Sequence, residues 1–231
     1  MRSRGRFRLA AILLTVVAAL PAAPARAQLS ASLSIDSDYR YRGVSLSRHR
    51  PVARLDLDYD HPGGAYAGVS LIGMRDNAYG RLGLSYIGYA GYVWQPARGP
   101  SWEAGLTDTH IRNGADYDYN EIYGGLIIRD VTARLYYAPH YYGSRTRTLY
   151  GELSTARRLS PSLRVFLRAG MLTPLDGAYR RERYDARVGL ALSLGRCEVQ
   201  AAWSRTNPLE GYMWRRPDNG NALILSASAF F

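Results

Sequence analysis

The sequence contains no lysine, and all 30 of its basic residues are arginine. Its one cysteine, Cys197, leaves no partner for an intrachain disulfide, even in an oxidising compartment. No cysteine follows the candidate signal cleavage site either, which excludes lipoprotein-type lipidation. The four histidines (49, 61, 110, 140) show no metal-ligand spacing, and the 23 glycines form no phosphate loop or dinucleotide fingerprint. No metal and no cofactor are therefore expected. After residue 27 no apolar run approaches the roughly 18 residues that mark a spanning helix.

What is present begins with an export signal. Arg2, Arg4, Arg6 and Arg8 precede the apolar run Leu9–Leu20, and Ala25-Arg26-Ala27 forms a small-residue cleavage site before Gln28. That order is a secretory signal peptide over 1–27, with an apolar stretch too short to serve as an anchor. The remainder, 28–231, is long enough for one domain. All 19 acidic residues lie in it, as do 25 of the arginines, so the exported chain carries a formal charge of +6. Export makes nucleic acid an unsuitable partner. Anionic lipid and lipopolysaccharide phosphate are within reach, and the planar arginine fork suits phosphate.

Period-2 alternation runs through most of the exported chain, as one-face-apolar strands require. Ala53, Leu55, Leu57 and Tyr59 alternate with Arg54, Asp56, Asp58 and Asp60. Tyr184 to Leu194 repeats the pattern against Asp185, Arg187 and Ser193. Twelve strands are expected: 29–42, 52–60, 65–74, 81–94, 101–111, 120–128, 131–142, 148–157, 163–172, 184–194, 197–206 and 221–231. Four of these alternate less cleanly, and ten is the alternative count. Prolines avoid ladder interiors, and eight of the nine after the signal fall between these strands, Pro139 being the exception. Connections alternate between longer and shorter ones. An even strand number with short turns at one rim and long loops at the other is the layout of an outer-membrane barrel. The expected fold is an all-β, transmembrane, antiparallel up-and-down barrel.

If the apolar face points outward, its aromatics should gather in two interfacial girdles. Tyr39, Tyr41, Tyr137, Tyr141, Tyr184 and Trp203 are assigned to the long-loop rim. Tyr59, Tyr92, Trp94, Trp102 and Phe231 are assigned to the short-turn rim. The competing geometry is a lipocalin-like cup with the apolar face inside. The chain ends LILSASAFF, with Phe231 in phase with the apolar face. This resembles the C-terminal signal by which bacterial outer-membrane proteins engage the barrel-assembly machinery.

The stretch IDSDYRYRGVSLSRHRPVARLDLDYDHPGGAYAGV (35–69) resembles the start of the TorF family of porins. The likeness runs through Ser37, Asp38, Tyr39, Tyr41, Arg42, Gly43, Val44 and Ser45, then Pro51, Asp58, Tyr59 and Tyr66 to Val69. Ser70-Leu71-Ile72-Gly73-Met74 departs from that family's Trp-Gly-Ser-Asn-type strand end. The resemblance implies a barrel in the bacterial outer membrane with an unassigned solute.

On this register Arg40, Arg42, Arg54, Arg81, Arg134, Arg164, Arg168 and Arg187 face the lumen. Asp36, Asp38, Asp56, Asp58, Glu103, Glu121, Glu152, Asp185 and Glu198 face it too. They either brace the wall as cross-strand pairs or segregate into a field that sorts solutes. Arg40, Arg42, Arg54, Asp56, Asp58, Arg134, Arg164, Arg168 and Arg187 are the candidate selectivity residues. Eleven further arginines (48, 50, 75, 112, 145, 147, 180, 181, 183, 215, 216) fall on the long-loop side, where lipopolysaccharide phosphate would meet them. Phe166, Tyr66, Tyr123, Tyr136, Tyr150 and the loop 207–220 are positioned to narrow the lumen.

Passive diffusion of small polar or charged solutes is the expected function, without a catalytic residue. One alternative is a barrel plugged by its own side chains. The other is a lipid-modifying enzyme around His110-Ile111-Arg112-Asn113, where Arg112 stands in place of the serine a nucleophile would need.

Overall fold

The computed structural model describes residues 28–75, 82–112, 116–176, 181–207 and 220–231. The expected signal peptide lies outside these. In chain order the strands are β1 (Gln28–Asp36), β2 (Arg40–Tyr41), β3 (Val44–Ser45), β4 (Val52–Asp60), β5 (Ala65–Arg75), β6 (Leu82–Trp94) and β7 (Ser101–Arg112). They continue with β8 (Asp116–Ile128), β9 (Val131–Ala138), β10 (Thr148–Arg158), β11 (Leu163–Pro174), β12 (Arg183–Leu194), β13 (Cys197–Thr206) and β14 (Asn221–Phe230). Among the described residues a single 3-10 turn, Tyr141–Gly143, sits between β9 and β10.

Twelve of these strands close into one antiparallel barrel, because β1 pairs with β4 on one side and β14 on the other. Closure leaves no edge strand to be satisfied, which is what lets a sheet stand in lipid. The expected bounds of 52–60 and 197–206 match β4 and β13 residue for residue. Pro139 follows the last residue of β9 instead of interrupting it, and Pro174 is the final residue of β11.

The apolar face is the outer one. Leu29, Leu33, Ile35, Leu106, Ile122, Leu135, Leu153, Leu190, Leu223 and Leu225 are all exposed on the barrel exterior. An apolar belt of this size on a water-facing surface would drive association. It suits a lipid-facing wall, and it excludes the cup with an apolar interior. Tyr92, Trp94, Trp102 and Phe231 project outward near the short-turn rim, and Tyr184 and Trp203 near the other. Those parts of the girdles stand.

Three assigned girdle residues do not. Strand β1 ends at Asp36, and the chain then turns into the barrel instead of continuing along its wall. Residues 40–45 form a separate two-stranded hairpin, Tyr41 pairing with Val44. Tyr39 and Tyr41 therefore pack on the apolar cluster inside the lumen. Tyr141, beyond the end of β9, is 1% exposed in that same cluster. Arg183 also leaves the rim: it is buried and donates to the Tyr141 hydroxyl at 2.8 Å.

Candidate functional site: the lumen and its inward hairpin

Two residues, Arg42 and Gly43, make the hairpin turn, and both have positive φ, 49° and 77°. That is the turn handedness that matches strand twist. For a non-glycine such as Arg42 the conformation costs roughly 1–2 kcal/mol. Gly43 has no such freedom to lose, since a Cβ there would stand 2.7 Å from the Asp185 Cβ and 2.8 Å from the Thr206 Cβ. The tip of the hairpin is thus pressed against β12 and β13.

What offsets the strain at Arg42 is its side chain. The guanidinium forms a two-pronged ion pair with Glu121 on β8, at 2.8 and 2.6 Å. It also lies 4.0 Å from the Tyr150 ring centroid and 5.2 Å from that of Tyr136. Arginine forks bind carboxylates in this bidentate manner, and aromatic faces attract the cation. Because β8 to β10 lie across the barrel from β1, this contact carries the hairpin over the lumen.

Asp38 organises the base of the hairpin. Its carboxylate accepts from the hydroxyls of Ser45 at 2.5 Å and Ser47 at 2.9 Å, from Arg40 Nε at 2.7 Å and from the His49 amide at 3.2 Å. Burial pushes the Asp38 carboxyl up, but the Ser45, Arg40 and Ser47 hydrogen bonds outweigh it and leave it below the usual aspartate value.

Around the hairpin, the outer half of the lumen holds an apolar cluster. Val44 and Leu46 of the hairpin segment are buried there with Val52, Ile72, Met74, Ile111, Tyr119 and Leu172, inward positions near the long-loop ends of the strands, and with Tyr141 of the 3-10 turn. The sequence-expected narrowing by Tyr136 and Tyr150 is real, yet the segment that fills the lumen is 37–51. Of the expected 207–220 closure, most lies outside the described residues.

Below the hairpin the lumen is polar and hollow. One cavity of about 620 Å³ reaches the β8–β9 turn, and six arginines line it against three aspartates. A second of about 630 Å³ lies beside it, with three arginines against four acids. Tyrosines fit over inward glycines along this wall. At Gly91, for example, an added Cβ would collide with the Tyr66 hydroxyl, 2.5 Å away.

The candidate selectivity residues occupy these spaces. Arg54 holds Asp36 at 3.3 Å and also pairs with Asp56. Arg134 binds Glu103 at 2.6 Å, and Arg164 binds Glu198 at 3.0 Å. Asp58 accepts from the Tyr89 hydroxyl. Arg40 and Arg42 belong to the hairpin, not to the barrel wall. Arg168 is held only loosely, 3.7 Å from Glu152 and 3.9 Å from Asp185. Arg187 faces the same cavity, with its guanidinium 5.8 Å from the Phe166 ring. Arg81 lies outside the described residues. Pairing therefore accounts for most of the charge, and Arg168 and Arg187 stand apart.

The His110 segment lies on the outside of the barrel. His110 stacks on Tyr86, ring centroids 5.4 Å apart, and pairs with Asp118, while Tyr86 donates to Asp108 at 3.0 Å. A histidine and a carboxylate are in place there, and Arg112 still occupies the position of the missing serine.

Among solved structures the chain is similar to the KdgM porin, at TM-score 0.53 and 11% identity, over 87% of this chain and 99% of that one. Its likeness to the outer-membrane channel DcaP of Acinetobacter baumannii is weaker, at TM-score 0.46 and 9% identity, over 89% and 97%. The loop L8 deletion mutant of OmpT from Vibrio cholerae gives 0.38 and 10%, over 89% and 99%. A comparison with the curated proteins found no match. At such identities the likeness establishes the fold, a closed twelve-stranded barrel that matches outer-membrane porins. The resemblance over residues 35–69 gains no separate support for the TorF label. The family model that matches, over residues 18–208, is described as a bacterial protein of unknown function, and the chain belongs to that family, Gcw_chp.

Proposed function

We propose that this protein is an outer-membrane channel for small polar solutes, constricted on its outer side by the 37–51 hairpin. The observation that carries this reading is the contrast of its two faces. An apolar wall lies outside, and a charge-lined hollow of two cavities, about 620 and 630 Å³, lies within. A barrel whose only task was to persist in lipid would gain more from filling that space with packed side chains, as smaller barrels do. Fold likeness to the KdgM porin supports the same reading. Phe231, on the outer face of the last turn of chain, serves barrel assembly. Arg145 and Arg181, exposed at the long-loop rim, meet lipopolysaccharide phosphate.

One observation favours the second reading, a plugged structural barrel. Ile72, Met74, Ile111, Tyr119 and Tyr141 are each no more than 3% exposed in the outer half. Planar-bilayer recording separates the two. The channel reading expects small discrete current steps, with a reversal potential that moves in Arg54→Ala. A barrel that folds, shown by heat-modifiable gel mobility, and carries no current would leave the plugged reading.

A further inference from the structure

Arg168 and Arg187 are direct register partners on the adjacent strands β11 and β12. Both are inward positions. Like charges placed opposite each other on neighbouring strands destabilise a sheet, so the pair calls for something negative between or beside them. Among the described residues no carboxylate comes within ion-pair distance of Arg187, and the acids nearest Arg168 stand 3.7 and 3.9 Å away. The Nε atoms of both arginines are buried without a hydrogen-bond partner. Buried donors of charged groups are rarely left in that state without a ligand or a function.

The other charges of the cavity relieve them only in part. Asp36 is engaged by Arg54 and Asp38 by Arg40, while Asp130 lies in the β8–β9 turn at the cavity mouth. Next to the arginine pair are the Phe166 ring and, along the same wall, Gln200 and Ser226. The cavity, about 620 Å³, is of the size that holds a small metabolite.

We propose that Arg168 and Arg187 together form a binding site for a small oxyanion, the carboxylate, phosphate or sulfate group of a solute inside the lumen. Two guanidinium forks on adjacent strands offer converging donors to such a group. Phe166 takes the apolar side of an organic anion, and Gln200 and Ser226 take its hydroxyls. The site rests on the channel reading for its biological purpose, not for its chemistry.

The test is calorimetric titration of inorganic phosphate into the purified, folded full chain at low ionic strength. The expected result is saturable binding of one phosphate, weakened at least tenfold in Arg187→Gln and in Arg168→Gln. Arg187→Lys, which keeps the charge and loses the fork, should fall between. Arg196→Gln, which removes an exposed arginine of the β12–β13 turn outside the cavity, should bind as the parent does. Phosphate should also raise the unfolding temperature of the parent and not of Arg187→Gln. Equal binding by the parent and both arginine variants would overturn the site, as would stoichiometric binding that persists in the Arg168→Gln/Arg187→Gln double variant. Because the readout needs no current, a barrel that binds phosphate yet conducts nothing retains this site and loses the channel reading.

Discussion

At the scale of single residues, Arg42 carries more of the arrangement than any other. It sits in a left-handed turn that its own side chain makes worthwhile, with Glu121 almost completely buried beneath it. Removing one partner of a buried ion pair leaves the other charge uncompensated, at about 3–5 kcal/mol. Arg42→Ala should therefore release the hairpin and lower the unfolding temperature. Arg42→Ala/Glu121→Ala, which removes both charges, should recover part of the loss. Thermal melts of the three proteins check this. Gly43→Ala acts on the same turn by steric means, because its Cβ would meet Asp185 and Thr206 on a backbone of positive φ. It should uncover the buried Arg40 and Arg42 to trypsin, measured as a faster cut in the intact barrel. Arg42 and Gly43 were both legible as notable residues. Their role as a hairpin turn was not, since Arg-Gly lacks the Asn or Asp that usually announces one.

At the scale of elements, the hairpin and the barrel strands share one periodicity. Alternation of Tyr39 and Tyr41 with Asp38, Arg40 and Arg42 continues the pattern of β1 without a break in the sequence. Period two reports an extended chain and says nothing about which sheet it joins. Length gives no warning either, because the expected strand 81–94 is equally long and stands in the wall as the 13-residue β6. The same continuity puts Tyr141 on the wall in the sequence pattern, whereas β9 ends at Ala138, just before Pro139. For β4 and β13 the clean alternation stops where the strand stops, and the expected bounds match in full. The hairpin as an element should also respond to acid. Asp38 has a carboxyl held below its ordinary value of 3.8 when the hairpin is docked. Its contribution is therefore present above that ordinary value and is lost as pH falls through the lower, docked value. Channel current or trypsin access should rise on going from pH 7 toward pH 3. Asp38→Asn should show loosened docking already at pH 7 and lose this part of the pH response.

At the scale of the whole molecule, two layers of order are superimposed. Barrel closure and the outward apolar belt follow from alternation and turn spacing, and both could be read from the chain. Which lumen charges neutralise one another depends on strand register and on the hairpin, neither of which a linear pattern reports. Arg54, Arg134 and Arg164 are braced by carboxylates, whereas Arg168 and Arg187 stand side by side with an open cavity before them. A lumen of this kind should prefer anions once the constriction is relieved. In a salt gradient, the reversal potential of Arg42→Ala should indicate anion selectivity, and Arg187→Gln in that background should reduce it.

The claim that the inward hairpin sets the conductance of a charge-lined lumen is tested most directly by one comparison. Unitary currents of the full chain are measured in planar bilayers beside a variant in which residues 39–48 are replaced by a short Gly-Ser linker, both verified as folded barrels. The account predicts small steps from the parent and steps several times larger from the hairpin-less barrel. Identical currents from the two, or no current from either, would contradict it.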